Sequence, residues 1–223
     1  MARVLIMGAS RGLGLELARQ YLTARDEVFA TAHSDAGMQA LQELGLTPLR
    51  LDVSDAASVQ QLGERLKGES IDIAWHVAGV MCSRRDARHA PSLQEFDRVM
   101  HTNVLGAMQT IPVVAPLVEA AQGRFGFLTS VMGQIGSASA SNAWLYRSSK
   151  AALNMVVASA RHSYPKAWFA LFHPGWVKTD MGGDKAPLGV RDSVTRLRVT
   201  LQSAGAADNG AFFNEEGVRL RSW

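Results

Sequence analysis

Six apolar runs of strand length, at residues 4–7, 28–32, 48–51, 71–77, 125–129 and 168–172, lack the polar alternation of a half-exposed strand. A strand apolar on both sides needs cover on both faces, which a parallel sheet flanked by helices supplies. Helix-length segments fall between the runs, at 13–24, 36–44, 55–66, an apolar pair between Ser92 and Ala121, 142–162 and 190–201. This alternation implies right-handed crossovers and a doubly wound parallel α/β sheet with helices on both faces, of Rossmann type. With 223 residues, one such domain spanning 1–223 can bury roughly 70% of its unfolded surface and needs no staples. The small-residue segment 133–141 is expected to be an active-site loop.

Several function classes fall away. The lone cysteine, Cys82, allows no internal disulfide, points to a reducing compartment and fits a small buried hydrophobe. The apolar run 4–9, closed by Arg11, is too short for a signal-peptide core, so a cytoplasmic location is expected. The uncharged stretch 99–118 carries His101, Asn103, Gln109, Pro112 and Pro116, which suits a buried, kinked helix better than a membrane span. Basic and acidic side chains number 23 and 20, and the arginines are scattered apart from Arg84, Arg85 and Arg88, read as a solvated loop. No nucleic-acid partner, membrane partner or metal is expected.

The first strand runs into Gly8-Ala9-Ser10-Arg11-Gly12-Leu13-Gly14 and directly on into an amphipathic helix. Glycines there permit tight backbone angles and let a pyrophosphate approach the amides at the positive helix end. The spacing G-x-x-x-G-x-G departs from the usual G-x-G-x-x-G, and no Lys-Ser/Thr pair makes a triphosphate loop. A purely structural turn is the alternative. After the third strand, Asp52 could accept from an adenine amino group while Ser54 caps the next helix. The fourth strand ends in His76-Val77-Ala78-Gly79, where small residues leave room for a ligand.

Tyr146 and Lys150 stand four residues apart and share a helix face. An ammonium within reach of a phenol, which titrates near about 10, lowers that value by roughly 1 to 3 units, towards neutral pH. A surface pair would have the same spacing. Ser130, just past the fifth strand, could hold a carbonyl oxygen beside Tyr146. Asn103 is a buried amide in an apolar stretch and needs partners, such as a water chain leading to Lys150. After the sixth strand, Pro174-Gly175-Trp176-Val177-Lys178-Thr179-Asp180 forms a stiff turn able to grip a carboxamide.

In order and spacing this set resembles the short-chain dehydrogenase/reductase family, from Arg3 to about Phe213. The resemblance implies that Gly8, Ser10, Arg11, Gly12, Leu13 and Gly14 form the cofactor turn and that His33 and Ser34 lie at its ribose end. It further implies that Asp52 and Val53 meet adenine, Ala78 and Gly79 follow the adenosine ribose, and Pro174, Gly175, Val177 and Thr179 contact nicotinamide. Asn103, Ser130, Tyr146 and Lys150 match the catalytic tetrad, with Tyr146 and Lys150 also touching cofactor. Tyr-Arg-Ser-Ser-Lys and the ending Phe212-Phe213-Asn214 look like the branch of sniffer and C-factor carbonyl reductases. Two residues depart from the family: Met7 stands where Thr usually precedes the first glycine, and His76 where Asn usually opens Asn-Ala-Gly.

The implied chemistry is hydride transfer between nicotinamide and an aldehyde, ketone or secondary alcohol. Arg11 and His33 favour NADP(H); Asp35, 21 residues past Gly14, keeps NAD(H) as the alternative. Trp144, Leu145, Trp176 and Met181 are expected to line an apolar substrate pocket, although core packing could claim the tryptophans. A nucleotide-loaded signalling protein is the competing reading. The apolar residues Val104, Met108, Ile111, Leu117 and Val118, beside Val156 and Ala160, together with the resemblance, imply a homodimer or homotetramer.

Overall fold

The computed structural model describes residues 1–221 and 223. Its seven strands are β1 (Arg3–Met7), β2 (Glu27–Ala32), β3 (Leu49–Arg50), β4 (Ile73–His76), β5 (Arg124–Leu128), β6 (Trp168–Phe172) and β7 (Ala211–Phe213). They form a single parallel sheet in the order β3-β2-β1-β4-β5-β6-β7. The helices are α1 (Gly12–Thr23), α2 (Asp35–Glu43), α3 (Ala56–Arg65), α4 (Leu93–Met100), α5 (Gly106–Ala120), α6 (Trp144–Ala160) and α7 (Val190–Ser203). The strand order reverses between β1 and β4, so their carboxyl ends open a crevice of the kind that holds ligands in such sheets.

The lack of polar alternation has its cause in two cores. Leu5 and Met7 of β1, with Phe125 and Phe127 of β5, pack under α3, α5 and α6. Val4 and Ile6, with Trp75 of β4 and Phe172 of β6, pack under α1, α2 and α7. Alternate residues point to opposite faces and both faces are covered, so the inner positions of β1 and β6 are apolar without a break.

The edges depart from expectation. β3 is a two-residue edge strand inside the expected 48–51, because Pro48 has no amide to donate. β7 was not expected: three apolar residues after Asn209-Gly210 are too few to stand out, yet they pair in parallel with β6. Ser54 does not cap α3; Asp55 does, accepting from the Ala57 amide. Between α4 and α5 the chain makes a π turn at His101–Leu105. The irregularity expected from Pro112 and Pro116 thus falls earlier, and both prolines lie within α5. Gly106, just after the π turn, packs so closely on Val53 that a Cβ there would lie 2.7 Å from its side chain.

Candidate active site

The glycine turn leaves β1 with Gly8 at φ +93 and Gly12 at φ +53, where side chains are disfavoured. A Cβ on Gly8 would lie 2.7 Å from the Ala78 amide nitrogen, and one on Gly14 would lie 2.1 Å from the Gly8 carbonyl. The turn is therefore a cradle that only glycine can form. Arg11 takes the N-cap position of α1 without a side-chain cap, and no acid occupies the first turn, so the amides and positive helix end stay open to an anion. Thr31 supplies the tie that Met7 cannot: the Gly8 amide donates to Thr31 Oγ1 at 3.1 Å and the Ala9 amide to Thr31 O at 2.8 Å.

Arg11 is paired with Asp180 at 2.6 Å, both side chains being largely exposed. Asp35 is tied to Arg50, whose guanidinium also donates to His33 O at 3.0 Å. Ser34 caps α2, accepting from the Gly37 amide. Asp52 turns its carboxylate to the Ser54 hydroxyl at 2.7 Å and amide at 2.9 Å, and these bonds hold it below the usual carboxylate range. Val53 is buried. Gly79 lies where a Cβ would be 3.4 Å from both Asn103 Oδ1 and Lys150 Nζ, so the missing side chain lets these groups converge.

The Asn103 amide is fully used. Its oxygen accepts from the Val80 amide at 2.7 Å, and its nitrogen donates to Val80 O at 2.9 Å and Ser149 Oγ at 3.0 Å. The partners expected of this buried group are thus the backbone after β4 and a helix serine. Lys150 Nζ donates to Leu128 O at 2.9 Å and lies 5.7 Å from the Tyr146 ring centroid. Ser130 caps the turn after β5, accepting from the Met132 amide at 3.1 Å.

Burial, not the lysine, governs the phenol. Tyr146 is pushed up to about 12 by desolvation, with the Ser130 hydrogen bond pulling the other way. Lys150 is pushed down to about 8 by its own burial. The lowering expected from the Tyr-Lys spacing does not occur, because the ammonium is directed at the Leu128 carbonyl and the ring is desolvated. At neutral pH the pair is a protonated phenol beside an ammonium.

A cavity of about 330 Å³ opens over this group, lined by Ser130, Tyr146, Pro174, Gly175, Trp176, Val177, Thr179 and Met181 among others. Leu13 of the glycine turn also lines it, so the turn shares this space with Ser130 and Tyr146. Gly175 has φ +87, the Ser193 hydroxyl donates to Pro174 O, and Trp176 Nε1 donates to Gly182 O at 2.8 Å. Thr179 Oγ1 accepts from the Gly182 amide, and its methyl would meet a Cβ on Gly12 at 3.3 Å, which brings the loop over the glycine turn.

Trp144 and Leu145 do not reach this cavity. Ala143 has φ 54, and α6 starts so that these two side chains face the Cys82–Pro91 side, with Trp144 Nε1 donating to His89 O at 3.2 Å. Cys82 is buried beside them, its thiol donating to Ser83 O. The sequence reading missed Arg84 and His173 in the cavity wall and Arg50 at the ribose end. Arg50 carries a signal in hindsight, since it ends a strand next to β2.

Among the described residues no helix is long and apolar enough to cross a membrane. A doubly wound sheet with a glycine cradle at its first turn and a buried Ser-Tyr-Lys group at the same edge defines a dinucleotide-binding oxidoreductase class. The profile of the short chain dehydrogenase family matches residues 2–187, and the chain belongs to that family. It is 34% identical over 229 residues to 1-hydroxy-2-glutathionyl-2-methyl-3-butene dehydrogenase of Rhodococcus sp. (strain AD45), covering 99% of this chain and 100% of that one. Its fold matches carbonyl reductase Sniffer of D. melanogaster at TM-score 0.92 and 27% identity, over the whole of both chains. It also matches an NADPH-bound carbonyl reductase from chicken fatty liver at TM-score 0.89 and 30% identity, covering 100% of this chain and 99% of that one.

Proposed function

We propose that the chain is an NADP(H)-dependent reductase of aldehydes and ketones. The observation that carries this reading is that Ser130 and Tyr146 line one cavity with Leu13 of the glycine turn, while the buried Lys150 holds its ammonium 5.7 Å from the Tyr146 ring centroid. NADPH, when bound, supplies the hydride at nicotinamide C4. Arg11 and His33 would hold its 2′-phosphate, the helix amides after Gly12 its pyrophosphate, Asp52 its adenine, and Thr179 with Val177 its carboxamide. Asp35, the residue that would favour NAD(H), is already paired with Arg50, which supports the phosphate-bearing cofactor. The carbonyl reductase with NADPH bound among the structural neighbours supports it too.

Ser130 and Tyr146 hold the substrate oxygen, and Tyr146 donates its proton to that oxygen. A phenol kept near 12 is fully protonated at neutral pH, the state a reductase needs. As the proton leaves, Lys150, with its ammonium 5.7 Å from the Tyr146 ring centroid, is the cation that faces the growing phenolate. Asn103 fixes the Val80 segment and, through Ser149, the helix that carries the pair. NADPH consumption across a panel of apolar aldehydes and ketones tests the reading; tight NADPH binding with no turnover of any of them would reject it.

We also infer a homodimer through α5 and α6. Val104, Ile111 and Val118, expected at such a contact, are buried in the chain's own core, but Met108 of α5 and Met155 of α6 are exposed, as is Leu105 just before α5.

A further inference from the structure

We propose that the cavity is built for a carbonyl substrate whose apolar body ends in a carboxylate, with Arg84 as the residue that receives it. The inference rests on the reductase reading and names its substrate class.

Among the described residues, Arg84 is the one with a permanent charge that lines the cavity, and no carboxylate lines it. Its side chain makes a single hydrogen bond among the described residues, from Nη2 to Met181 O at 3.3 Å, across the cavity mouth. That is a long contact to a neutral acceptor. The acids of the flanking segments are engaged elsewhere: Asp86 with Arg88 and His89, Glu95 with the Ser83 amide and hydroxyl, and Asp180 with Arg11. By contrast, Arg88 has its own acid, and Arg98 is held by Met81 O at 2.9 Å.

The rest of the lining is largely apolar, with Met81, Val131, Met132, Trp176 and Met181 beside a few polar groups such as Thr129, Asn142 and His173. An apolar pocket with a few convergent polar groups fixes its ligand at those groups. Here Ser130 and Tyr146 grip a carbonyl oxygen. Arg84, exposed at the cavity's edge, presents a planar fork of N–H donors suited to bidentate carboxylate binding. A neutral hydrophobic aldehyde would leave that fork without a charged partner.

The test compares an ω-oxo fatty acid with its methyl ester, using NADPH and the full chain. The acid is expected to show a kcat/KM higher by roughly 10- to 100-fold, the worth of a charge-assisted contact. Arg84→Gln should bring the acid-to-ester ratio to near unity, while Arg84→Lys, which keeps the charge without the fork, should give an intermediate ratio. Equal kcat/KM for acid and ester, with a ratio indifferent to Arg84→Gln, would overturn the inference and leave the reductase reading standing.

If neither compound were turned over, the panel of aldehydes and ketones would decide the reductase reading, and binding, read by tryptophan fluorescence, would decide the anion site. Decanoate bound by the wild-type chain, and lost in Arg84→Gln, would uphold the anion site; decanoate and methyl decanoate bound alike would overturn it.

Discussion

Acid should destabilise this protein, in large part through one histidine. His76 lies at the end of β4, is 1% exposed, and stacks on Phe127 with ring centroids 5.8 Å apart. Both ring nitrogens lack a hydrogen-bond partner among the described residues, and Lys150 adds a positive charge nearby. Desolvation first, and then that charge, push its pKa from 6.5 to about 4. The unfolded chain takes up a proton near 6.5 that the folded chain refuses until about 4, so stability is full above 6.5 and falls as pH drops to 4. At about 1.4 kcal/mol per unit, the loss is roughly 3 kcal/mol. For a chain of this size that corresponds to roughly 6 to 12 °C in Tm. Urea midpoints measured from pH 7 to 4 for wild type and His76→Asn give the assay. Their difference isolates this residue from His173, which burial also lowers. The stability difference should change by about that amount across the interval. Parallel profiles, or an NMR titration placing the His76 ring near 6.5, would refute the reasoning.

Other outcomes follow from the same site. Arg11→Ala should weaken NADPH binding by roughly 10- to 100-fold and spare NADH, since a charge-assisted phosphate contact outweighs the exposed Asp180 pair it replaces; equal losses for both cofactors in a titration would contradict this. Carbonyl reduction should fall as pH rises through about 8, where Lys150 loses its charge, and a rate profile flat to pH 10 would contradict the role given to that ammonium. Sedimentation at micromolar concentration should show a dimer that Met108→Glu or Met155→Glu weakens; a 24.1 kDa species alone in the wild type would exclude it.

The sheet was legible because a parallel sheet covered on both faces writes unbroken apolar runs, as β6 does over Trp168–Phe172. The glycine turn and the Tyr146–Lys150 pair were legible because each depends on local spacing. What escaped depends on partners distant in the chain. β7 needs β6 beside it to be a strand, and Trp144 and Leu145 were aimed by the left-handed Ala143 rather than by the helix pattern. The Tyr146 pKa ran opposite to the spacing argument because desolvation is a property of the assembled pocket. Arg84 is exposed on its loop, as its charge pattern implied, but its contact with Met181, 97 residues away, came only with folding.

The central claim is that Tyr146 gives the proton in carbonyl reduction, and Tyr146→Phe tests it most directly. The substitution removes one hydroxyl and keeps the ring, so fold and NADPH affinity should be retained. The kcat for an aldehyde should fall by about 10² to 10⁴, the usual contribution of a positioned general acid. A reductase activity indifferent to Tyr146→Phe would contradict the account.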